Sequence, residues 1–477
     1  MSGFEAVIGL EIHAQLKTCT KMFCGCLNAF GGPPNTRTCP VCLGLPGALP
    51  VVNRRSVELA ITLGIALDCR VERSCVFARK NYFYPDLPKG YQITQYDKPL
   101  CTNGHLDFGG GGRLKRVGIR RVHLEEDAGK SVHDPRRRRT LVDFNRAGVP
   151  LVEIVTEPEI ASSQEAGAFL RELHAVLVHL GVSDGSMEEG SFRCDANVSV
   201  RRSGERSFGV RTELKNMNSF RNVIRALDFE IERQTALRKA GLEVTQETLL
   251  WSAALQKTIP MRSKEESHDY RYFPDPDLVP VVVDREWVER IRGTLGELPA
   301  ARRRRFMEHY GLSEYDAWQL TATPETADYF ERCVALLDAP KDIANWIVTG
   351  LGRLVNERGV GLSGLGVTPR MLAGLVDMVL RGRLSGLAAK EVLERMADSG
   401  RDAESLVGEM GLEQVTDEQA IRDAARRVME GHPGEVGRYR AGKTQLAGFF
   451  VGEVMKATGG RADPKLAARI IREMLES

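Results

Sequence analysis

No stretch of 18 or more apolar residues occurs anywhere in the 477-residue chain, so no segment is built to cross a bilayer as a helix. Charge of one sign is missing too: 66 Lys and Arg stand against 64 Asp and Glu, a formal net charge of +2. That balance excludes a bulk cationic field coating nucleic acid, so any RNA contact must be local and shaped. Cysteine is scarce, ten residues in a long chain. This excludes a disulfide-stapled secreted scaffold and leaves metal binding or catalysis for any local cluster. The opening residues Met1-Ser2-Gly3-Phe4-Glu5 lack the basic start and apolar stretch of a secretory signal, and the expectation is a cytoplasmic protein. What is present, 42% hydrophobic and 27% charged residues, is the balance of a globular chain, and the length suggests roughly three domains.

From about Gly3 to Arg290, short strand-like runs alternate with Gly, Pro and Asn turns, which predicts an α+β region with two well-marked helices. Ser162-Ser163-Gln164-Glu165 reads as a capping box, followed by Phe169, Leu170, Leu173, Val176, Leu177 and Leu180 at helical spacing until Gly181. A second helix is expected from about Asn218 to Gly241, with Phe220, Ile224, Leu227 and Ile231 on its inner stripe. Strand patterns then stop. Amphipathic helices broken by Gly and Pro lead to a small helical tail, giving expected domains at 1–292, 293–405 and 406–477. The tail carries 11 basic and 11 acidic residues, so it has no net charge to offer. Two arginine runs, Arg136 to Arg139 and Arg302 to Arg305, could each grip phosphates or form a solvated face.

Cys24-x-Cys26 and, twelve residues on, Cys39-Pro40-Val41-Cys42 form two close thiol pairs, the supply a tetrahedral structural zinc requires. With no further ligand left over, such a site would hold a loop rather than run a reaction, with Cys19 as a substitute ligand. In the first strand, Ala6, Ile8, Leu10, Ile12, Ala14 and Leu16 alternate with a largely polar set containing Glu11 and His13. Period two puts those two on one face about 7 Å apart, close enough to reach one ion or phosphate. The pattern recurs in Phe192–Val200, where Asp195 and Asn197 share the polar side, and in Gly209–Lys215, where Glu213 and Lys215 do. A sheet face of this kind resembles the floor of a magnesium-nucleotide site, although each pair alone would suit a solvated sheet. In Val122–Asp127, strict alternation puts Glu125 with His123 and Glu126 on the apolar side, while a bulge would turn Glu126 inward. Glu153 interrupts the apolar run Leu151–Val155, so if buried it must be paired or metal-bound.

Two motif matches are set aside. Gly437 to Thr444 fits the P-loop expression, but the preceding text is helical and the variable places hold Arg438, Tyr439, Arg440 and Ala441. Gly359-Val-Gly361-Leu-Ser-Gly364 follows a helical stretch and opens no βαβ unit.

Six blocks together resemble one family: Val7–His13, Arg79–Asp86, His123–Lys130, Met187–Asn197, Glu213–Asn216 and Asp269–Asp277. The chain resembles the B subunits of bacterial aspartyl/glutamyl-tRNA amidotransferases, the GatB/GatE family, from its first strand to its tail. The resemblance implies a glutamine-synthetase-like antiparallel-sheet cradle, then an all-helical domain, then a YqeY-like helical tail that holds tRNA. It implies an ATP-dependent ligase that phosphorylates the side-chain carboxyl of Glu-tRNA(Gln) or Asp-tRNA(Asn) and transfers ammonia to it. Carried over by motif, Glu11, His13 and Glu126 would bind Mg2+; with them, Lys80, Glu153 and Lys215 would serve metal binding and charge screening, and Asp195 and Asn197 are candidates for positioning or deprotonating the incoming ammonia. Lys80, Tyr82, Tyr84, Glu213 and Lys215 would hold ATP. The chain has no Gly/Ser-rich amidase segment and no clear nucleophile with its base. Ammonia should therefore come from a GatA glutaminase subunit, with a GatC subunit clamping the pair into a heterotrimer. Two competing readings remain: a zinc-stabilised tRNA-binding scaffold without a catalytic site, and a free-standing ATP-dependent ligase for a small molecule.

Overall fold

The structure is a computed structural model and describes residues 3–110, 113–134, 136–261, 269–412, 418–459 and 462–476. The chain divides into two compact units, Met1–Ala301 and Arg302–Ser477.

The first unit contains the strands β1 (Phe4–Gln15), β2 (Arg70–Val71), β3 (Ser74–Cys75), β4 (Phe77–Asn81), β5 (Tyr91–Gln95), β6 (Cys101–Gly110), β7 (Arg113–Glu126) and β8 (Lys130–Asp134). It continues with β9 (Arg139–Asp143), β10 (Pro150–Thr156), β11 (Phe192–Arg202), β12 (Thr212–Lys215), β13 (Thr248–Ser252), β14 (Lys257–Pro260), β15 (Phe273–Pro274) and β16 (Val281–Val282). Nine of them form one sheet in the order β14-β13-β12-β11-β1-β10-β7-β6-β2. It is antiparallel except where β12 meets β13. A smaller sheet, β15-β4-β5, and the hairpin β8-β9 stand apart from it.

Alternation in β1 decides which face is which. Ile8, Leu10, Ile12 and Ala14 are buried in a core shared with the helices α1 (Arg54–Ala66), α2 (Ser163–His179) and α3 (Phe220–Lys239), while Glu11 and His13 emerge on the other side. Ser162 caps α2 by accepting from the Glu165 backbone N–H, but the Glu165 carboxylate accepts from Ala161 N at 2.8 Å, one residue earlier than a strict capping box. Gly167 lets α3 approach: a Cβ there would lie 2.6 Å from Ile224 Cδ1. The inner stripe of α3 is rotated from the expected one, with Val223, Ala226, Leu227, Glu230 and Gln234 buried. The reason is polar: Thr212 of β12 donates to Glu230 at 2.9 Å and Gln234 donates to Thr212 at 2.9 Å, so hydrogen bonds draw these two helix residues inward.

After α4 (Arg285–Thr294) the chain is helical, with α5 (Pro299–Tyr310), α6 (Glu314–Leu320), α7 (Pro324–Val334), α8 (Pro340–Asn345), α9 (Gly352–Arg358), α10 (Pro369–Leu380), α11 (Gly386–Ser399) and α12 (Ala403–Met410). The tail adds α13 (Glu418–Gly431), α14 (Pro433–Arg440), α15 (Ala447–Ala457) and α16 (Pro464–Glu476). Two apolar clusters serve this unit, one running from Phe306 to Val407 and one from Ile421 to Leu475. The P-loop-like string begins inside α14, and the GxGxxG-like string is a helix end and a 3-10 turn; neither follows a strand. In the second arginine run, Arg302 bridges Asp328 and Glu331 of α7, and Arg305 meets Glu331 at 2.5 Å. Among the described residues no helix is long and apolar enough to cross a membrane.

Candidate active site and cysteine cluster

Antiparallel register carries the site. His13 of β1 lies opposite Arg193 of β11 and Glu153 of β10, and Glu153 lies opposite His123 of β7. Opposed residues share a face, so these four form one row across the sheet. The next row contains Gln15 and Glu125; the previous one contains Glu11, Asp195 and Arg121.

The side chains converge. His13 Nε2 lies 3.3 Å from Glu153, 3.4 Å from Glu125 and 3.9 Å from Glu11. His123 Nε2 is 3.5 Å from Glu153 and 3.9 Å from Glu125. Glu153 is buried and belongs to both groups, Glu11/His13/Glu153 and His123/Glu125/Glu153, in each of which the ligand atoms lie within 4.8 Å of one another. Burial disfavours charge on Glu153, but His123, the hydrogen bond from His13 and Arg121 hold its carboxyl well below the usual range. Burial works against the His13 cation too, yet its bond to Glu153 and the charges of Glu125, Glu153 and Glu11 raise it to about 9. Glu11 is pushed up, first by burial and then by Glu153. Three carboxylates and two imidazoles gathered this closely are a donor set for a divalent cation. The buried His123 Nδ1 also has no hydrogen-bond partner.

Cations flank the cluster. Lys80 of β4 stays charged despite burial because Glu125 and Glu153 face it, with its Nζ 4.9 Å from the centre of the Tyr270 ring. Lys215 reaches Asp195 at 2.5 Å and Glu213 at 3.2 Å, which raises its pKa against burial. Tyr82 donates to Gln92 at 3.2 Å, and Tyr84 is exposed beside it. Asn197 lines a recess of about 280 Å³ with Gly9, Glu11, Ser199 and Arg211.

The expected ligand Glu126 is placed elsewhere. From Arg121 to Glu126 the register of β7 runs without a break, so Glu125 joins His123 and Glu126 emerges on the opposite face. There its carboxylate is gripped by Lys89 and accepts from Ile93 N at 3.0 Å. It lines a cavity of about 160 Å³ with Cys24 and Cys42. Arg121 and Thr94, which meet Glu153 and Glu125 at 3.4 and 3.2 Å, carry no local sequence pattern that marks them.

The sulfurs of Cys24, Cys26, Cys39 and Cys42 all lie within 4.8 Å of one another, a group that could hold a metal ion such as zinc. Cys19 is exposed and outside the group. Beside it lies a fully buried lysine: Lys21 Nζ donates to Arg37 O at 2.7 Å and Phe144 O at 3.4 Å and reaches Cys42 Sγ at 3.8 Å. A bond from Cys24, then the Cys39 N–H and the Lys21 charge, bring the Cys42 thiol down to about 5 against burial.

Residues 6–289 match the GatB/GatE catalytic domain, and residues 328–475 match the GatB domain. The chain belongs to the GatB/GatE family. It is 51% identical over 473 residues to the aspartyl/glutamyl-tRNA(Asn/Gln) amidotransferase B subunit of Thermodesulfovibrio yellowstonii, with 99% of each chain covered. It is 52% identical over 476 residues to the protein of the same name from Geobacter sulfurreducens, again with 99% of each covered. The family's catalytic-domain match contains the whole Glu11–His13–Glu125–Glu153 cluster and the four cysteines.

Proposed function

We propose that this chain is the subunit of a tRNA-dependent amidotransferase that activates the side-chain carboxyl of Glu-tRNA(Gln), Asp-tRNA(Asn) or both with ATP and hands it to ammonia. The observation that carries the reading is the convergence of Glu11, Glu125, Glu153, His13 and His123 on one patch of sheet, with Lys80 and Lys215 on its flanks. The sheet with this polar floor is read as a glutamine-synthetase-like cradle, and the second unit as the helical domain and YqeY-like tail that hold the tRNA body. The working assembly is a heterotrimer with the GatA glutaminase and the small GatC protein.

A carboxylate resists ammonia because it is anionic and its oxygen leaves poorly. In the first step a carboxylate oxygen attacks the γ-phosphorus of ATP, the bond to the β-phosphate oxygen breaks, and ADP departs. In the second the nitrogen lone pair attacks the acyl carbon, phosphate leaves with the bonding pair, and the surplus proton passes to a base. Bringing two anions together requires screening. Glu11, His13, Glu125 and Glu153 would hold Mg2+, which supplies Lewis acidity and charge neutralisation when bound. Lys80 and Lys215 place fixed positive charge at the edges of that patch. Asp195, held in orientation by Lys215, is the proton acceptor we assign, and Asn197 orients the incoming nitrogen beside it. Glu213 steadies Lys215. The four cysteines would hold a structural zinc.

The test is amidation of Glu-tRNA(Gln) by the assembled complex with ATP and ammonium chloride, which bypasses the glutaminase. Glu11→Ala should lower conversion at least about a hundredfold. Equal conversion by both proteins would move the chemistry off this chain and leave it a tRNA-holding scaffold.

A further inference from the structure

One flank of the cluster is a run of aromatic rings. Tyr84 meets Tyr82 at 6.0 Å, Tyr82 meets Tyr270 at 5.9 Å, Tyr270 meets Tyr272 at 5.9 Å, and Tyr272 stacks on Tyr96 at 4.1 Å with planes 5° apart. Lys80, facing Glu125 and Glu153, lies over Tyr270 and so joins the run to the cluster. The outer rings stand in water: Phe83 is 88% exposed, Tyr84 62% and Tyr96 51%. Gly90, at φ +74°, clears room for Phe83, since a Cβ there would lie 3.1 Å from the ring. Exposed aromatics gathered in this way mark a binding surface.

A cationic element adjoins them. The β8–β9 hairpin is tied to the loop that bears Phe83 and Tyr84, because Ser131 Oγ donates to Asp86 Oδ2 at 3.2 Å and Gly129 N donates to Asp86 O at 2.8 Å. Ser131 is three residues from the end of β8, so the tip lies about 10 Å beyond that tie. The tip is the first arginine run. Arg137 and Arg139 lie 4.0 and 3.5 Å from Asp134, whereas Arg136 and Arg138 are exposed and pair with no carboxylate among the described residues. Arg138 has φ +47°, a left-handed conformation that closes the tight tip.

Rings for bases beside cations for phosphates are what a single-stranded RNA segment needs. We propose that Phe83, Tyr84 and the arginine-tipped hairpin form one landing surface for the single-stranded 3′-terminal nucleotides of the aminoacyl-tRNA. Bases lie on the rings, and backbone phosphates lie on Arg136 and Arg138. This rests on the amidotransferase reading and adds a division of labour between two nucleotide sites. The terminal nucleotide carries the aminoacyl ester, so a base seated on the ring run brings the reacting carboxyl toward Lys80 and the cluster. ATP, being compact, takes the recess beside Glu11, where Gly9 leaves the floor low and Arg120 and Arg211 line the wall. Tyr82 and Tyr84 thereby belong to the RNA side rather than to ATP.

The experiment uses the assembled complex with ammonium chloride as nitrogen donor and compares wild type with Phe83→Ala and with the double variant Arg136→Ser, Arg138→Ser. Both sites are exposed, so folding is not at stake. Phe83→Ala should raise KM for Glu-tRNA on the order of tenfold, with kcat and KM for ATP unchanged. Wild type should lose affinity for tRNA trimmed of its last four nucleotides, and Phe83→Ala should lose nothing further on trimming. The double variant should flatten the slope of log affinity against log salt by about 1.4, two phosphates on a single strand. A raised KM for ATP with tRNA unaffected would give the rings to the adenine of ATP and overturn the proposal. So would equal losses on intact and trimmed tRNA, or no loss at all. Failure of wild type to amidate under these conditions would instead count against the amidotransferase reading.

Discussion

Two adjacent carboxylates, Glu125 and Glu126, end on opposite faces of one strand and should fail differently. Glu125 meets His13, His123 and Thr94, so Glu125→Gln removes a cation donor and should abolish tRNA-dependent ATP turnover while the melting temperature holds. Glu126→Gln removes the partner of a lysine only 9% exposed. Leaving a buried charge unpaired costs about 3–5 kcal/mol, and calorimetry should show the variant melting earlier than wild type. If the two phenotypes were exchanged, the cation would have to be assigned to the other face. Lys21 makes a third residue-scale case. Four thiolates around a divalent ion carry an excess of negative charge, and this buried ammonium offsets part of it. Lys21→Met should release zinc to a chromogenic chelator about ten- to a hundredfold faster; unchanged release from a folded protein would make Lys21 a spacer. The cysteine pairs were legible because their spacing is local. Lys21 was not, since a single lysine between Thr20 and Met22 forms no pattern and its partners at Arg37 and Phe144 come from elsewhere in the chain.

At the scale of elements, period two in β1 identified Glu11 and His13 because the faces differ so sharply in chemistry. What periodicity does not contain is which strands are neighbours. The order β11-β1-β10-β7 brings residues 13, 123, 153 and 193 into one row, a non-local fact that only pairing reveals. The helix cap Ser162 was readable for the opposite reason, since its cap bond spans three residues. The run Arg302–Arg305 was ambiguous because a charge run does not announce its partner. In the structure Arg302 bridges Asp328 and Glu331 on α7 with its own side chain 10% exposed. Burial raises the Glu331 carboxyl, but bonds from Arg305 and Arg302 outweigh this and hold it below 4.5. A group depressed in the folded state contributes stability in full above its unfolded value and loses it as pH falls through the folded one. Arg302→Met should therefore destabilise the helical unit by about 1–3 kcal/mol at pH 7. The gap from wild type should narrow as pH is taken below 4.5. Hydrogen exchange of the α7 amides measures this locally, and a gap that does not change with pH would contradict the ion-pair account.

At the scale of the whole molecule, the candidate site and the tail are carried by different apolar cores. The cluster and its flanking lysines lie in the first unit, whose core runs through Ile8, Ile12, Leu124 and Ile154. The tail has its own core, with Phe450, Val454, Ile470 and Ile471 at its centre. Its equal numbers of acidic and basic residues leave no net field for steering RNA, so any RNA contact it makes must come from shape and a few arginines meeting phosphate. Shape-based contacts with a folded RNA body add affinity that is uniform between ground state and transition state, and uniform binding lowers KM without changing kcat. A chain ending at residue 412 removes the third core and leaves the first two intact. It should amidate saturating Glu-tRNA(Gln) at the wild-type rate with ammonium chloride, with KM for ATP unchanged and KM for tRNA raised. A fall in kcat at saturating tRNA would mean that the tail helps to place the acceptor end at the cluster, and an unchanged KM for tRNA would show that it holds no RNA.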